Sequence, residues 1–254
     1  MKKNIRIGCG AGFSGDRLEP ALILTEKGNL DYLVLECLAE RTIALAQKRK
    51  QQDLNAGYDV LLERRIEGLL PLILENKTRL ITNMGAANPV AGAKKILEIA
   101  KKLKLKVKVA VVLGDDVFGQ LSGEELSMEG LKPLNSYGKL VSANAYLGVD
   151  AILPALATDA QIILTGRVAD PSLFLAPMIN ELGWEKENAD LMGKGTVLGH
   201  LMECAGQITG GYFADPVTKP VPDMDIIGHP ILEVSSGGCG IISKVDGTGG
   251  LINT

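Results

Sequence analysis

The chain reads as an α/β protein. Its expected core is a mainly parallel sheet with helices on both faces, Rossmann-like or flavodoxin-like in three layers, followed by a turn-rich carboxyl-terminal segment. Three observations predict this. Short apolar runs alternate with runs of helical periodicity, the pattern of right-handed βαβ units. Val109-Ala110-Val111-Val112-Leu113 is apolar at successive positions, as suits a strand covered on both faces. Nearly every strand candidate also runs into a cluster of Gly, Asn, Asp, Thr or Arg. In an open parallel sheet those clusters share the edge where ligands bind.

The strand candidates in order are Ile5–Cys9, Tyr32–Cys37, Arg79–Thr82, Val107–Leu113 and Gln161–Leu164, with a weaker one at Ala143–Tyr146. Each is a short apolar block bounded by turn residues. Helical spacing marks Ala39–Asp53, Leu61–Glu75, Val90–Leu103, Ala151–Thr158, Ser172–Leu182 and Gly195–Ile208. The texture changes near Gln207, where Gly and Pro become dense; Ile231–Ser235 is the one strand expected beyond that point. The division is therefore an α/β domain over 1–206 and a Gly/Pro-rich extension over 207–254. The apolar Leu251-Ile252 follows a glycine loop. The extension is accordingly expected to be completed by a separate carboxyl-terminal chain or a missing part, or covered in a homo-oligomer.

Composition excludes several classes. With 27 Lys and Arg against 30 Asp and Glu, the net charge is −3, and aromatic residues are 4% of the chain. Neither a nucleic-acid footprint nor a base-stacking surface follows from that. The basic stretch Lys94–Lys108 keeps helical spacing at Ile96, Ile99, Ala100 and Leu103, so it reads as a solvated helix face. No apolar run reaches the length of a membrane span. The four cysteines are widely spaced and read as reduced thiols of a cytoplasmic protein.

The strand-end clusters supply the candidate site. Gly10-Ala11-Gly12-Phe13-Ser14-Gly15 matches G-x-G-x-x-G after a strand, and Glu36 falls where a dinucleotide fold places its ribose acid. Pro20 and the charged Asp16, Arg17 and Glu19 stand where the first helix of such a fold would run. The reading preferred is therefore an oxyanion cradle through Gly10, Gly12 and Ser14 rather than a nicotinamide dinucleotide site. Arg167, just after a buried strand, is placed to fork onto a carboxylate or phosphate. Asp170 is the candidate base, with helix capping as its structural alternative. Asp115 and Asp116 follow one strand and point to opposite sides, so only one can enter the site; Asp115 is the second candidate acid–base group. Asn83, Asn88 and Asn144, with Ser142 and Tyr146, offer neutral hydrogen bonds that orient a ligand. His200 shares a helix face with Glu203 and Cys204 and is the third catalytic candidate. No second His lies within zinc-ligand spacing, so no metal is expected. His229 reads as structural.

Several stretches together resemble the acyclic terpene utilisation protein A (AtuA-like) family. They are Arg6–Arg17, Thr82–Pro89, Ala143–Gly148, Thr165–Ser172, Gly199–Gln207, Gly210–Asp215 and Gly247–Gly250. The resemblance implies catabolism of acyclic terpenes and related branched acids through CoA thioesters. It names no cofactor, and members of that family continue past the Gly-Thr-Gly-Gly segment. Two readings follow. One is an enzyme acting on a branched carboxylic acid or its CoA thioester, as a hydratase or lyase, with a small anionic substrate or acyl-CoA as partner. The other is a non-catalytic subunit that binds the ligand or scaffolds a multienzyme complex. A dehydrogenase ranks third.

Overall fold

A computed structural model describes residues 2–253; the expectations that touch Met1 and Thr254 lie outside the described residues. Strand β1 (Asn4–Ala11) leads through a seven-residue loop into helix α1 (Glu19–Lys27). There follow β2 (Tyr32–Leu35), α2 (Glu40–Gln52), α3 (Leu62–Glu75), β3 (Arg79–Thr82), α4 (Pro89–Lys102) and β4 (Val109–Val112). A long connection precedes α5 (Val149–Leu156), β5 (Ile162–Thr165), α6 (Ser172–Leu182), α7 (Ala189–Glu203), β6 (Pro230–Ser235) and β7 (Gly240–Lys244).

The strands form one seven-stranded sheet in the order β4-β5-β3-β2-β1-β6-β7. The five from β1 to β5 are parallel, while β6 runs antiparallel to β1 and β7 antiparallel to β6. The sheet is thus mixed, and its order is neither the Rossmann nor the flavodoxin order. Strands β1, β2 and β3 step in one direction, and the far side of β1, where a doubly wound sheet continues, is taken by β6. The Gly/Pro-rich segment therefore contributes strands to the same sheet, pairing Asn4–Gly8 with Ile231–Ser235.

Strand side chains alternate between two apolar clusters, one on each face. Ile7, Val34, Ile81 and Ile163 pack with Phe174, Met178 and Met202 of α6 and α7. Leu33, Leu80 and Leu164 pack with Leu24, Ile66, Leu69 and Ile96 of α1, α3 and α4. Burying a side chain of this size is worth roughly 1.5–3 kcal/mol, so this apolar alternation is what holds the strand ends in place.

Four sequence expectations are corrected. Pro20 begins α1 instead of preventing it, since the first turn needs no N–H from it. Ala143–Tyr146 is not a strand; it touches the sheet's surroundings through the isolated bridge of Asn144 to Asp116 and lies over the strand ends. Helix α7 starts at Ala189, not Gly195, because the Asn188 side chain accepts from Leu191 N–H and caps it. Strand β7 was hidden by its glycine loop and occupies the sheet edge, with Ile241 exposed.

Candidate functional site

Strand β2 ends at Leu35, two residues before the apolar run does. Glu36 is thereby the first residue beyond the strand, held by Glu36 N–H donating to the Ala11 carbonyl at 2.9 Å. Its carboxylate is buried beyond the strand end, where Oε1 accepts from Asn83 Nδ2 (2.8 Å) and from Leu38 N–H (2.9 Å). Asn83 Oδ1 in turn accepts from Cys37 N–H at 2.7 Å. Asn83, expected to meet a ligand, is fully buried and positions Glu36 instead. Glu36 is 8% exposed, and burial raises its pKa from the ordinary 4.5 to about 7. Asp170 pushes in the same direction, while Asn83, Leu38 and Arg167 oppose.

Arg167 follows β5 and is 2% exposed. Its Nη2 donates to Asp170 Oδ1 at 2.6 Å and its Nη1 to the Leu38 carbonyl. The Tyr146 ring stacks on the guanidinium, 4.0 Å from ring centroid to Cζ. The expected bidentate fork onto a ligand is thus replaced by internal bonds; Nε alone is buried without a partner. Asp170 does not cap α6 through its side chain. Its carboxylate serves Arg167, and burial raises its pKa, with Glu40 adding and Arg167 subtracting.

Asp115 is buried and structural. Its Oδ2 accepts from Arg167 N–H and from Asn144 Nδ2, each at 2.9 Å. A Cβ at Gly166 would lie 2.6 Å from either Asp115 carboxylate oxygen, so only glycine lets the strand-end turn sit on it. Asn144 Oδ1 also accepts from Gln47, which ties the long connection to α2. Asp115 and Asn144 therefore shape the site from behind. Asp116 stays half-exposed near Lys50, on the other side, as adjacent strand-type residues require.

The glycine loop differs from the cradle expected. Gly10 lies inside β1. Gly12 is required because a Cβ there would be 2.5 Å from the Cys204 carbonyl carbon. The N–H groups of Gly12 (2.7 Å) and Phe13 (3.2 Å) already donate to the Asp16 carboxylate, so the loop holds an anion of its own. Ser14 Oγ donates to Asp59 at 2.6 Å. Asn88 caps α4, accepting from Ala91 N–H and donating to the Leu54 and Ala56 carbonyls. None of these four is aimed at the crevice beside Glu36 by its own bonds.

His200 sits on α7 with its ring mostly in solvent; Nδ1 lies 2.6 Å from Glu203 Oε1. Glu203 is nearly buried, its Oε2 has no partner, and burial raises its pKa against the opposing His200. Glu36, Asp170 and Glu203 each feel at least one other member of the set formed with Arg167. Burial is the largest cause of the upward shift at all three, and Arg167 opposes it at each. A cleft of about 260 Å³ opens above Arg167, lined also by Glu40, Ile43, Ala44, Ser142, Asn144 and Tyr146. No metal-ligand cluster of three or more His, Cys, Asp or Glu occurs among the described residues. Glu40 gave no sequence signal, since a Glu in the first turn of a helix is ordinary.

The model of the acyclic terpene utilisation family protein AtuA matches residues 5–254. The chain belongs to this family. No curated protein matches it, and no solved structure does. The family's description ties the AtuA chain to acyclic terpene utilisation, a catabolic role. No helix among the described residues is long and apolar enough to cross a membrane.

Proposed function

We propose that this AtuA-family chain is a hydro-lyase of catabolism, acting on a branched carboxylic acid or its CoA thioester at the carboxyl edge of β2, β3 and β5. The observation that carries the reading is the pair Glu36 and Asp170. Glu36, raised to about 7, retains a proton near neutrality, while the Asp170 carboxylate is paired with Arg167 at 2.6 Å. Glu36 has a neutral amide as its side-chain partner and Asp170 a guanidinium, and such a difference in surroundings divides two carboxyls into acid and base.

In the dehydration direction Asp170 takes the proton from the carbon next to the carboxyl or thioester carbonyl. The electron pair forms the carbon–carbon double bond, and the carbon–oxygen bond of the β-hydroxyl breaks. Glu36 gives its proton to the leaving oxygen, which departs as water. Hydration is the reverse. Arg167 supplies positive charge where the enolate-like oxygen develops. The test is incubation of the purified chain with branched 3-hydroxy acids and their CoA thioesters in deuterium oxide. Deuterium entry at the α-carbon with loss of water supports the reading. Exchange unchanged in Glu36→Gln and Asp170→Asn together overturns it, and no exchange or water loss by the wild type leaves the ligand-binding subunit.

A further inference from the structure

Acid–base chemistry at Glu36 and Asp170 does not account for the cleft above Arg167. One wall of that cleft is the first turn of α2, through Glu40, Ile43 and Ala44. The N-cap of α2 is Ala39, which has no side-chain acceptor, so no cap side chain takes up the first-turn N–H groups. Those groups carry positive partial charge at the end of a 13-residue helix. Arg167 lines the same cleft, and its Nε is buried with no hydrogen-bond partner. Tyr146 adds a hydroxyl. Into this corner the chain places one exposed anion of its own: Glu40, whose carboxylate accepts from the Tyr146 hydroxyl.

We infer that the cleft is a carboxylate pocket and that Glu40 fills the carboxylate position in the free protein as a displaceable stand-in. The groups around Glu40 are held by other bonds. Arg167 is fixed by Leu38 and Asp170, and Asn144 by Asp115 and Gln47. Glu40 itself has no ion pair with Lys or Arg among the described residues, so rotating it into water breaks only the bonds it accepts from the Tyr146 hydroxyl and from its own backbone N–H. An incoming carboxylate then meets the Tyr146 hydroxyl, the uncapped first turn and the free Arg167 Nε. The apolar wall of Ile43, Ala44 and Ala143 and the volume of about 260 Å³ suit a short branched acid. The inference rests on the proposed reading for the location of the site and not for its chemistry.

Isothermal titration of the full chain with sodium isovalerate, and with 3-methylbutan-1-ol as the uncharged analogue, tests it. Glu40→Ala removes the stand-in and tightens isovalerate about five- to tenfold, the scale of one charge-assisted hydrogen bond. Ala44→Trp, at an exposed helix position, fills the cleft and abolishes binding with an unchanged melting temperature. The alcohol binds neither wild type nor Glu40→Ala. Equal isovalerate binding by wild type and Glu40→Ala, none by either, undiminished binding by Ala44→Trp, or equal binding of the alcohol overturns the inference. Glu36→Gln keeps isovalerate binding. Binding without turnover of any hydroxy acid sinks the lyase reading alone. Turnover that isovalerate does not inhibit in either wild type or Glu40→Ala sinks the carboxylate pocket alone.

Discussion

Two clefts lie at opposite edges of the sheet, and the larger is the less chemical. At the amino edge a cavity of about 540 Å³ is lined by Lys77, Arg79, Lys106 and Lys108, with Asp159 as counter-charge. Arg79 donates to the carbonyls of Ala160, Leu156 and Thr158 and to the Tyr32 hydroxyl, which ties down the end of α5. Lys77 and Lys106 are exposed and follow the ends of α3 and α4, where a cation complements the helix dipole. At the carboxyl edge the cleft is about half that size, yet Arg167 in its wall keeps an unpartnered donor and pairs with Asp170, and burial raises the pKa of Asp170 and of nearby Glu36. Volume records how loosely an edge is packed. Desolvated titratable groups record where the fold sustains a cost that only chemistry repays.

The sharpest break of this contrast is Glu36→Gln. It removes the proton donor of the proposed reaction and lowers turnover about 10²–10⁴-fold, measured as water loss from a 3-hydroxy acid, while the double variant Lys77→Ala/Lys106→Ala keeps wild-type turnover. Equal losses in both would erase the difference between the edges.

Acidity gives the next largest effect. Glu36 is held at about 7 in the folded chain against 4.5 ordinarily, so the folded state binds the extra proton. Unfolding therefore becomes easier as pH rises from 4.5 to 7, by about 3 kcal/mol over that window. Urea melts at both pH values show the fall in wild type, and Glu36→Gln lacks it. Turnover in the dehydration direction drops as pH passes 7, because Glu36 loses its proton.

Arg79→Met strips three carbonyls, two of them part-buried, of a charged donor and costs about 1–2 kcal/mol in a urea melt, with turnover per folded molecule unchanged. Asn88→Ala, placed at a helix cap and not at a ligand, costs about 1 kcal/mol and leaves KM untouched. Lys77→Ala shifts stability by less than about 0.5 kcal/mol, as exposed cations do.

Much of the architecture was legible residue by residue. The two-sided apolar runs at Leu33–Leu35 and Ile162–Leu164 could only be buried strands, and the motif Thr82–Pro89 sits at a strand end as its composition required. That Arg167 and Asp170 lie together was legible, because an Arg and an Asp directly after a buried strand are placed at the same sheet edge. Their mutual bond was not, since a guanidinium chooses among all the acceptors within reach.

The sequence by itself determined the alternation of strand and helix, the edge on which the polar clusters gather and membership of the AtuA family. Only the tertiary structure decided what each cluster does. Asp16 fills the glycine loop, Asn88 caps α4 and Asp115 braces Gly166, while Glu36 is desolvated beside Asn83. Periodicity is a local property of the backbone, so a single chain displays it. Burial, hydrogen-bond partners and protonation depend on residues 40 to 130 positions apart, as Glu36 with Asn83 and Leu38 with Arg167 show, and these meet only when the sheet is assembled.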